Sequence, residues 1–571
     1  MKPLFLAAAL ALPLATLAAE PPTPLLILVI RPAPPAADAQ INYVDVSETI
    51  PSPDARKGAP LLTLPLVFNN VESVARKLTN FSITDARGSV PVTTEDDPDN
   101  NPAGTRRWLI ARPTHGTLQL HYRAPIDNAP QVRGSGPPFG LRTETGAFSG
   151  IGRAFIVLPT TSQPYKISLH WELAALGPHA TAMSSFGDGN IELPAGPVTR
   201  LADSYFMAGS LSRYPSERLQ SGSFAAAWTG SPPFDATELM AWTGKLNAWY
   251  TQFFSGDPSR PYRVFMRSNT VNPGGGVGLP NSFVATFDTS TRVDDLQLTL
   301  AHEMLHTWGP RLQPEGFPTQ WFTEGTAVFY QRVLPLRAGL LSPERFLDDL
   351  NKSAARYYTN TLIGAPNDQI GPHFWENTLI RVLPYDRGSF YFAVVNAQIR
   401  HASGGKRSLD DLILELVRRA RGDAAPLDGA GWVDLLAQDV GPLAKSTYDG
   451  MLAGAVMAPD SNAFGPCFER TTAPFRRFEL GFDGKSLVSS PRIVTGLVAG
   501  SAAAKAGLRD GDEIVYPVGL DVIQSDQHAT VTFQVRRDGT VSPITYLPRG
   551  ATTDAYQWKR VAGIPADKCG I

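Results

Sequence analysis

Two histidines and two glutamates carry the chemistry legible in this chain. In TLAHEMLHTWGP (299–310), His302 and His306 stand four residues apart, with Glu303 directly after the first. On a helix, residues four apart share a face about one turn apart, so both imidazoles can reach one cation. Two neutral histidines and one carboxylate leave a zinc ion with net positive charge and an open coordination position. A water held there loses a proton near neutral pH. Glu303 sits beside the first ligand, where it can accept that proton and pass it to a leaving amine. Zinc is the natural occupant of such an N,N,O site, though cobalt or nickel could replace it. The competing reading is two satisfied core histidines that fall one helical turn apart.

Glu324 bears on that choice. It lies 18 positions after His306, in WFTEGTA (321–327), a spacing at which zinc peptidases with a distant glutamate ligand bring in their third ligand. Its neighbours are apolar, so an unpartnered carboxylate there would be poorly solvated. Both segments belong to a helix-rich stretch. ATELMAWTGKLNAWYTQFF (236–254), DDLQLTLAHEMLHTW (294–308), TQWFTEGTAVFYQRVLPL (319–336), SPERFLDDLNKSAARYY (342–358), GSFYFAVVNAQIRHAS (388–403) and SLDDLILELVRRA (408–420) all have helical spacing and length. Asp294, Ser342 and Ser408 are the expected N-caps. Gly309-Pro310 is the expected stop of the motif helix.

The flanks read differently. From 41 to 198, short β-branched and aromatic runs such as INYVDVSETI, LLTLPLVF and YKISLHWEL are split by Gly, Pro, Asn and Asp, which predicts an all-β domain, a sandwich. Beyond 466 short strands return around a brief helix, SAAAKAGL (501–508). A chain of 571 residues exceeds what one core supports. The expected organisation is multidomain α+β: a signal peptide at 1–19, a Pro/Ala-rich linker at 20–40, the N-terminal all-β domain at 41–198, a mixed α/β catalytic domain at 199–465 and a β domain at 466–571.

Composition narrows the partners. The formal net charge of −2 gives no electrostatic reason to expect nucleic acid or an anionic membrane surface. Lys2, the apolar run 3–15 and small residues at Ala18 and Ala19 read as an export signal, short of the roughly 20 residues a membrane span needs. The mature chain is expected in the periplasm or secreted, without a transmembrane segment. Its two cysteines, Cys467 and Cys569, bracket the C-terminal domain; an oxidising compartment permits them to bridge and tie its ends, the alternative being two free thiols. His115, His121, His170, His179, His373, His401 and His528 have no ligand spacing.

WFTEGTA resembles the WL-x-EG-x-A signature of the aminopeptidase N branch of zinc peptidases. More widely, the chain resembles the glycyl aminopeptidase family of zinc metallopeptidases, through LRAGLLSPERFLDDLNKSAARY (336–357), LPYDRGSFYF (383–392), GGKRSLDDLILEL (404–416) and NFSITDARGSVPV (80–92). The resemblance implies an N-terminal β domain, a thermolysin-like catalytic domain and a C-terminal PDZ domain. It implies His302, His306 and Glu324 as ligands of one zinc ion per chain, with Glu303 as the catalytic base. It implies that Tyr385 donates its hydroxyl to the oxyanion of the tetrahedral intermediate; Tyr391 is the nearby rival. In GGGVGLPNSFVATF (274–287) it implies a glycine-rich turn before the strand on which substrate lies, Gly275 and Gly276 letting the substrate backbone approach; a simple turn is the alternative. Leu480-Gly481-Phe482 resembles the carboxylate-binding loop of PDZ domains, and IVTGLVAGSAAAKAGLRDGDEIV (493–515) the strand, helix and turn beyond it. Such a loop would hold the C-terminus of a peptide partner while the adjoining strand edge takes up its extended chain; a packing module without ligand is the alternative.

The chain also departs from its family. Where relatives carry a Gly-Gly-Leu-Glu-His motif, it reads Gly278-Leu279-Pro280-Asn281, with no acid to pair with a substrate α-ammonium. The tryptophan-asparagine pair after the metal motif becomes Trp308-Gly309. The function expected is a zinc peptidase acting on peptide substrates, an aminopeptidase by family default. The missing acid favours an endopeptidase or dipeptidase. A different class is a non-catalytic periplasmic peptide-binding or chaperone-like protein with a silent metal site. The presence of all three ligands, the base and the tyrosine weighs against silence.

Overall fold

The computed structural model describes residues 23–570 except 52, 54, 70, 100, 102, 129–138, 218–223, 271–272, 423 and 517. The expected signal peptide lies outside the described residues. The first described element corrects the expected linker: β1 (Leu25–Pro32) is a strand whose alternate residues Leu26, Leu28 and Ile30 are fully buried. It pairs antiparallel with β2 (Tyr43–Ile50), which in turn pairs with β3 (Leu118–Pro125), and parallel with β4 (Tyr165–Trp171). An apolar run of six residues is too short for a membrane but is the length of an ordinary strand.

These four strands form the middle of a seven-stranded sheet. A four-stranded and a five-stranded sheet pack with it around one core that includes Trp108, Tyr122, Tyr165 and Phe206. Strand Tyr205–Gly209 pairs with Ala147–Ile151 and Thr181–Ser184, so the β-rich part runs past the expected boundary at 198.

The middle of the chain is a mixed sheet under a layer of helices. β5 (Phe224–Trp228) leads through α1 (Ala236–Phe253) to β6 (Tyr262–Ser268), with β7 (Gly276–Leu279) and β8 (Ser282–Phe287) following. β5, β6 and β8 run parallel, and β7 pairs antiparallel with β8 at the sheet edge. Side chains alternate between the two faces of a strand, and here the faces serve different cores. Ala226, Val264, Met266, Phe283 and Ala285 enter the helical core, while Ala225, Ala227, Phe265 and Val284 complete the N-terminal one. The helices are α2 (Val293–Leu305), α3 (Gln320–Arg337), α4 (Pro343–Tyr358) and α5 (Leu383–Ala402). Ser342 caps α4 by accepting from the Arg345 amide. Ser408 and Asp411 form a capping box on the next helix, Leu409–Arg421.

The C-terminal residues divide in a way the composition did not show. β9 (Phe468–Phe478) and β10 (Arg549–Arg560) form a long antiparallel ribbon. The ribbon's base belongs to the helical core: Trp558 stacks on Phe390 of α5, and its backbone exchanges hydrogen bonds of 2.7 and 2.8 Å with the Asn351 side chain of α4. A disulfide joins Cys467 to Cys569, both buried in that same core. The bridge thus sits within the helical domain, where the sequence placed it at the two ends of a separate one. A third, small core lies at the ribbon's far end and includes Phe478, Phe482, Val494, Leu508, Val531, Phe533 and Tyr546. The whole is a multidomain mixed α/β protein with an N-terminal β-rich part. No described helix is long and apolar enough to cross a membrane.

Candidate active site

α2 begins at Val293, with Arg292 at the N-cap position. Asp294, expected there, lies in the first turn with Asp295, where carboxylates face the positive end of the helix. The helix ends at Leu305, and His306 holds the C-cap with φ −58° and ψ −17°. That conformation is still helical, so His306 remains one turn beyond His302. The turn closes through the Gly309 amide on the Leu305 carbonyl at 2.7 Å, ahead of Pro310.

Glu324 enters from the first turns of α3. Its Oε2 lies 3.2 Å from His302 Nε2 and 3.5 Å from His306 Nε2, and the two Nε2 atoms are 3.3 Å apart. In a tetrahedral site with zinc–nitrogen distances of about 2.0–2.1 Å, ligand atoms stand roughly 3.3 Å apart. Two imidazole nitrogens and a carboxylate oxygen at this separation can hold one cation among them, and the donor set fits zinc. Among the described residues, this is the single group of three such side chains so arranged. Glu324 keeps about 17 % of its side chain exposed, so solvent and substrate can reach the group.

The surroundings fix the ligands. His302 Nδ1 lies 3.0 Å from Gln331 Oε1; donating its proton there leaves the Nε2 lone pair for the metal. The Gln331 amide donates in turn to both oxygens of Asp349 on α4, at 3.2 and 3.1 Å. Asp349 is paired with the buried Arg332 at 2.7 Å. Burial disfavours the Glu324 carboxylate, but the charges and hydrogen bonds of His306 and His302 outweigh it and hold that carboxyl well below its ordinary range.

Tyr385, in the first turn of α5, brings its ring centroid to 6.0 Å from that of His302. Burial, with Glu324 and Glu303 adding their negative charge, pushes its hydroxyl well above the usual range, so it stays a donor. Tyr391 is excluded as a rival. It is fully buried and accepts from Trp432 Nε1 at 2.9 Å in the core.

The glycine-rich stretch turns at Gly274, with φ +75°, and only its later residues form a strand. Gly276 and Gly278 lie in β7, which pairs with β8 through a two-residue hairpin at Pro280-Asn281, where Asn281 has φ +51°. The hairpin occupies the place where the family's acid was sought. Gly276 answers to packing, since a β-carbon there would lie 1.8 Å from Phe283 Cζ. The Gly275 carbonyl accepts from the amide and hydroxyl of Thr286 within the hairpin. Gly278, which the sequence did not single out, is the glycine at the site: its β-carbon would lie 2.9 Å from Glu303 Oε2 and 3.8 Å from His306 Cδ2. Gln331 was also missed. It falls two turns after Glu324 on the same helical face, a polar residue in an apolar run, and that position was its only signal.

Leu480, Gly481 and Phe482 line a separate pocket that none of the metal-site side chains lines. The strand expected beside them is a 3₁₀ turn, Gly484–Leu487, and 493–498 carries only an isolated bridge at Ile493. Among the described residues, no assigned strand therefore lies beside the loop to take up an extended peptide.

Residues 295–363, which include His302, His306 and Glu324, match the family model of the M61 glycyl aminopeptidases. Among solved structures, the fold resembles an aminopeptidase N family protein from Idiomarina loihiensis, with 15 % identity and a TM-score of 0.66 over 94 % of this chain and 98 % of that one. An M1 zinc metallopeptidase from Deinococcus radiodurans is similar at 16 % identity and a TM-score of 0.49, over 76 % of this chain and 96 % of its own. No curated protein matches the sequence.

Proposed function

With a zinc metallopeptidase of the glycyl aminopeptidase family as the premise, we propose that this protein is an aminopeptidase holding one zinc ion per chain on His302, His306 and Glu324. The observation that carries this reading is the triangle of ligand atoms at 3.2–3.5 Å, oriented from behind by Gln331. Bound there, zinc supplies a Lewis acid that acidifies water and polarises a carbonyl. Glu303, next to the first ligand, takes the proton and returns it to the leaving amine. Tyr385 donates to the carbonyl oxygen as negative charge develops on it. β7 is the outermost strand of its sheet, so a substrate strand can add to it and pass Glu303 at Gly278. The C-terminal lobe is read as PDZ-like, and the protein as periplasmic or secreted after removal of residues 1–19.

A second reading is endopeptidase or dipeptidase action. The specific observation favouring it is the hairpin Pro280-Asn281, which offers no carboxylate to a substrate ammonium. Hydrolysis of matched peptides with free and acetylated N-termini separates the two. The aminopeptidase reading predicts cleavage only of the free peptides, and equal rates on both establish the endopeptidase. No cleavage of any peptide by zinc-loaded protein returns the chain to the peptide-binding class.

A further inference from the structure

We propose that Asp521 of the C-terminal lobe is a positioning residue for Tyr385, so that the lobe completes the oxyanion side of the active site. The proposal rests on the reading of Tyr385 as the hydroxyl donor. Tyr385 sits in the first turn of α5, and helix ends are where a helix frays. Much of what holds this start comes from the lobe.

The short helix Thr378–Arg381 leads into α5 through Val382 alone. The amides of Arg381, Val382 and Asp386 each donate to the carbonyl four residues back, so the path is nearly continuous helix. Arg381, four residues before Tyr385, therefore shares its face. Asp521 lies in a turn of helix, Asp521–Ser525. Its carboxylate accepts two hydrogen bonds from the Arg381 guanidinium, at 2.8 and 3.0 Å, and one from the Thr378 hydroxyl at 2.5 Å. Gln524, buried on the same turn, donates to that hydroxyl at 2.7 Å. Leu379 packs against the lobe's core, whereas Ile380 and Leu383 enter the helical one.

The other side of Tyr385 is held as well. Asp386, the next residue, is fully buried and takes a bidentate pair from Arg356 of α4, at 2.7 and 2.8 Å. Nη1 of that arginine reaches the Asp521 carbonyl at 3.5 Å. One turn of the lobe thus meets the chain on both sides of the tyrosine. That turn is itself anchored, since Arg549 at the head of β10 donates to the Ile523, Gln524 and Asp526 carbonyls. Burial, Glu324 and Glu303 dominate the rise in the Tyr385 hydroxyl pKa. Asp521 and Arg381 then act on it in opposite directions, so both lie within electrostatic reach. A bidentate carboxylate–guanidinium pair fixes direction as well as distance, which a donor aimed at one oxygen requires.

The test is a double-mutant cycle on kcat between Asp521→Ala and Tyr385→Phe in full-length, zinc-loaded protein, with zinc content and melting temperature measured for each. Asp521→Ala is expected to lower kcat about 10- to 100-fold with KM and zinc content near wild type. In the Tyr385→Phe background the same change should cost less than about threefold, there being no hydroxyl left to misplace. A residue that served only to hold the fold together would cost the same in both. Asp521→Asn keeps the shape without the charge and should show smaller losses in the same pattern, which covers a poorly folded alanine variant. Independently of turnover, amide hydrogen exchange over 378–386 should rise about tenfold in Asp521→Asn while 299–306 stays protected. Wild-type kcat in both Asp521 variants, equal losses in the two backgrounds, or unchanged exchange would overturn the proposal. Failure of the donor reading is distinct: it shows as wild-type kcat in Tyr385→Phe itself, and takes this proposal with it.

Discussion

A β-carbon at position 278 would press on the Glu303 carboxylate, so the strand flanking the base leaves no room for a side chain there. Gly278→Ala is expected to displace the base by a fraction of an ångström and lower kcat by about 10- to 100-fold. Zinc content and melting temperature should stay near wild type, and a kinetic assay beside a thermal melt checks this. Tyr385 makes a different demand. Burial raises its hydroxyl pKa, which favours the protonated, donating form. Tyr385→Phe should lower kcat by about 10²–10³-fold with KM and zinc content little changed, because the donor acts on charge that appears only in the transition state. Unchanged kcat in that variant would return Tyr385 to a packing role.

The distance between Glu324 and Tyr385 is set where two helices cross. α3 carries Glu324 and α5 carries Tyr385, and they touch through glycines: a β-carbon on Gly325 would lie 2.5 Å from Gly388 Cα, and one on Gly388 would lie 2.2 Å from the Trp321 carbonyl. Gly325→Ala must push the helices apart. It should cost about 1–3 kcal/mol of stability and reduce turnover more than zinc affinity, as melting, metal titration and kinetics together would show. The sequence displayed EG in WFTEGTA but not this reason for it, because the contact spans some sixty residues of chain. The metal motif was legible because both histidines and the base lie within one turn of helix, and Glu324 because its neighbours are apolar. β1 was not, since LLILVI is apolar throughout and hides the period of two by which a half-buried strand is recognised. Gly278 was missed for the same reason as the helix crossing: its meaning lies in a partner, Glu303, on another element.

At the scale of the whole molecule, the ribbon makes the C-terminal lobe an outgrowth of the helical domain. Its base shares a core with α4 and α5 through Trp558 and the disulfide, while its tip holds a small core of its own. Composition placed a boundary near 466 because it registers strand content and not which core a strand enters. The bridge closes a separation of 102 residues. By chain entropy a loop of that length is worth about 4–5 kcal/mol, and removal of native bridges typically costs about 2–5 kcal/mol. The double variant Cys467→Ser, Cys569→Ser should lose stability in that range by denaturant unfolding, with the zinc site intact in the protein that remains folded.

All of this rests on a metal held by three side chains and a base that is not one of them. Zinc content and peptide turnover, measured side by side for wild type, Glu303→Gln and Glu324→Ala, test that most directly. The account predicts one zinc per chain in the first two, turnover lost by about 10³-fold or more in Glu303→Gln, and loss of both metal and turnover in Glu324→Ala. A Glu324→Ala protein that keeps its zinc and hydrolyses peptides at the wild-type rate would contradict it.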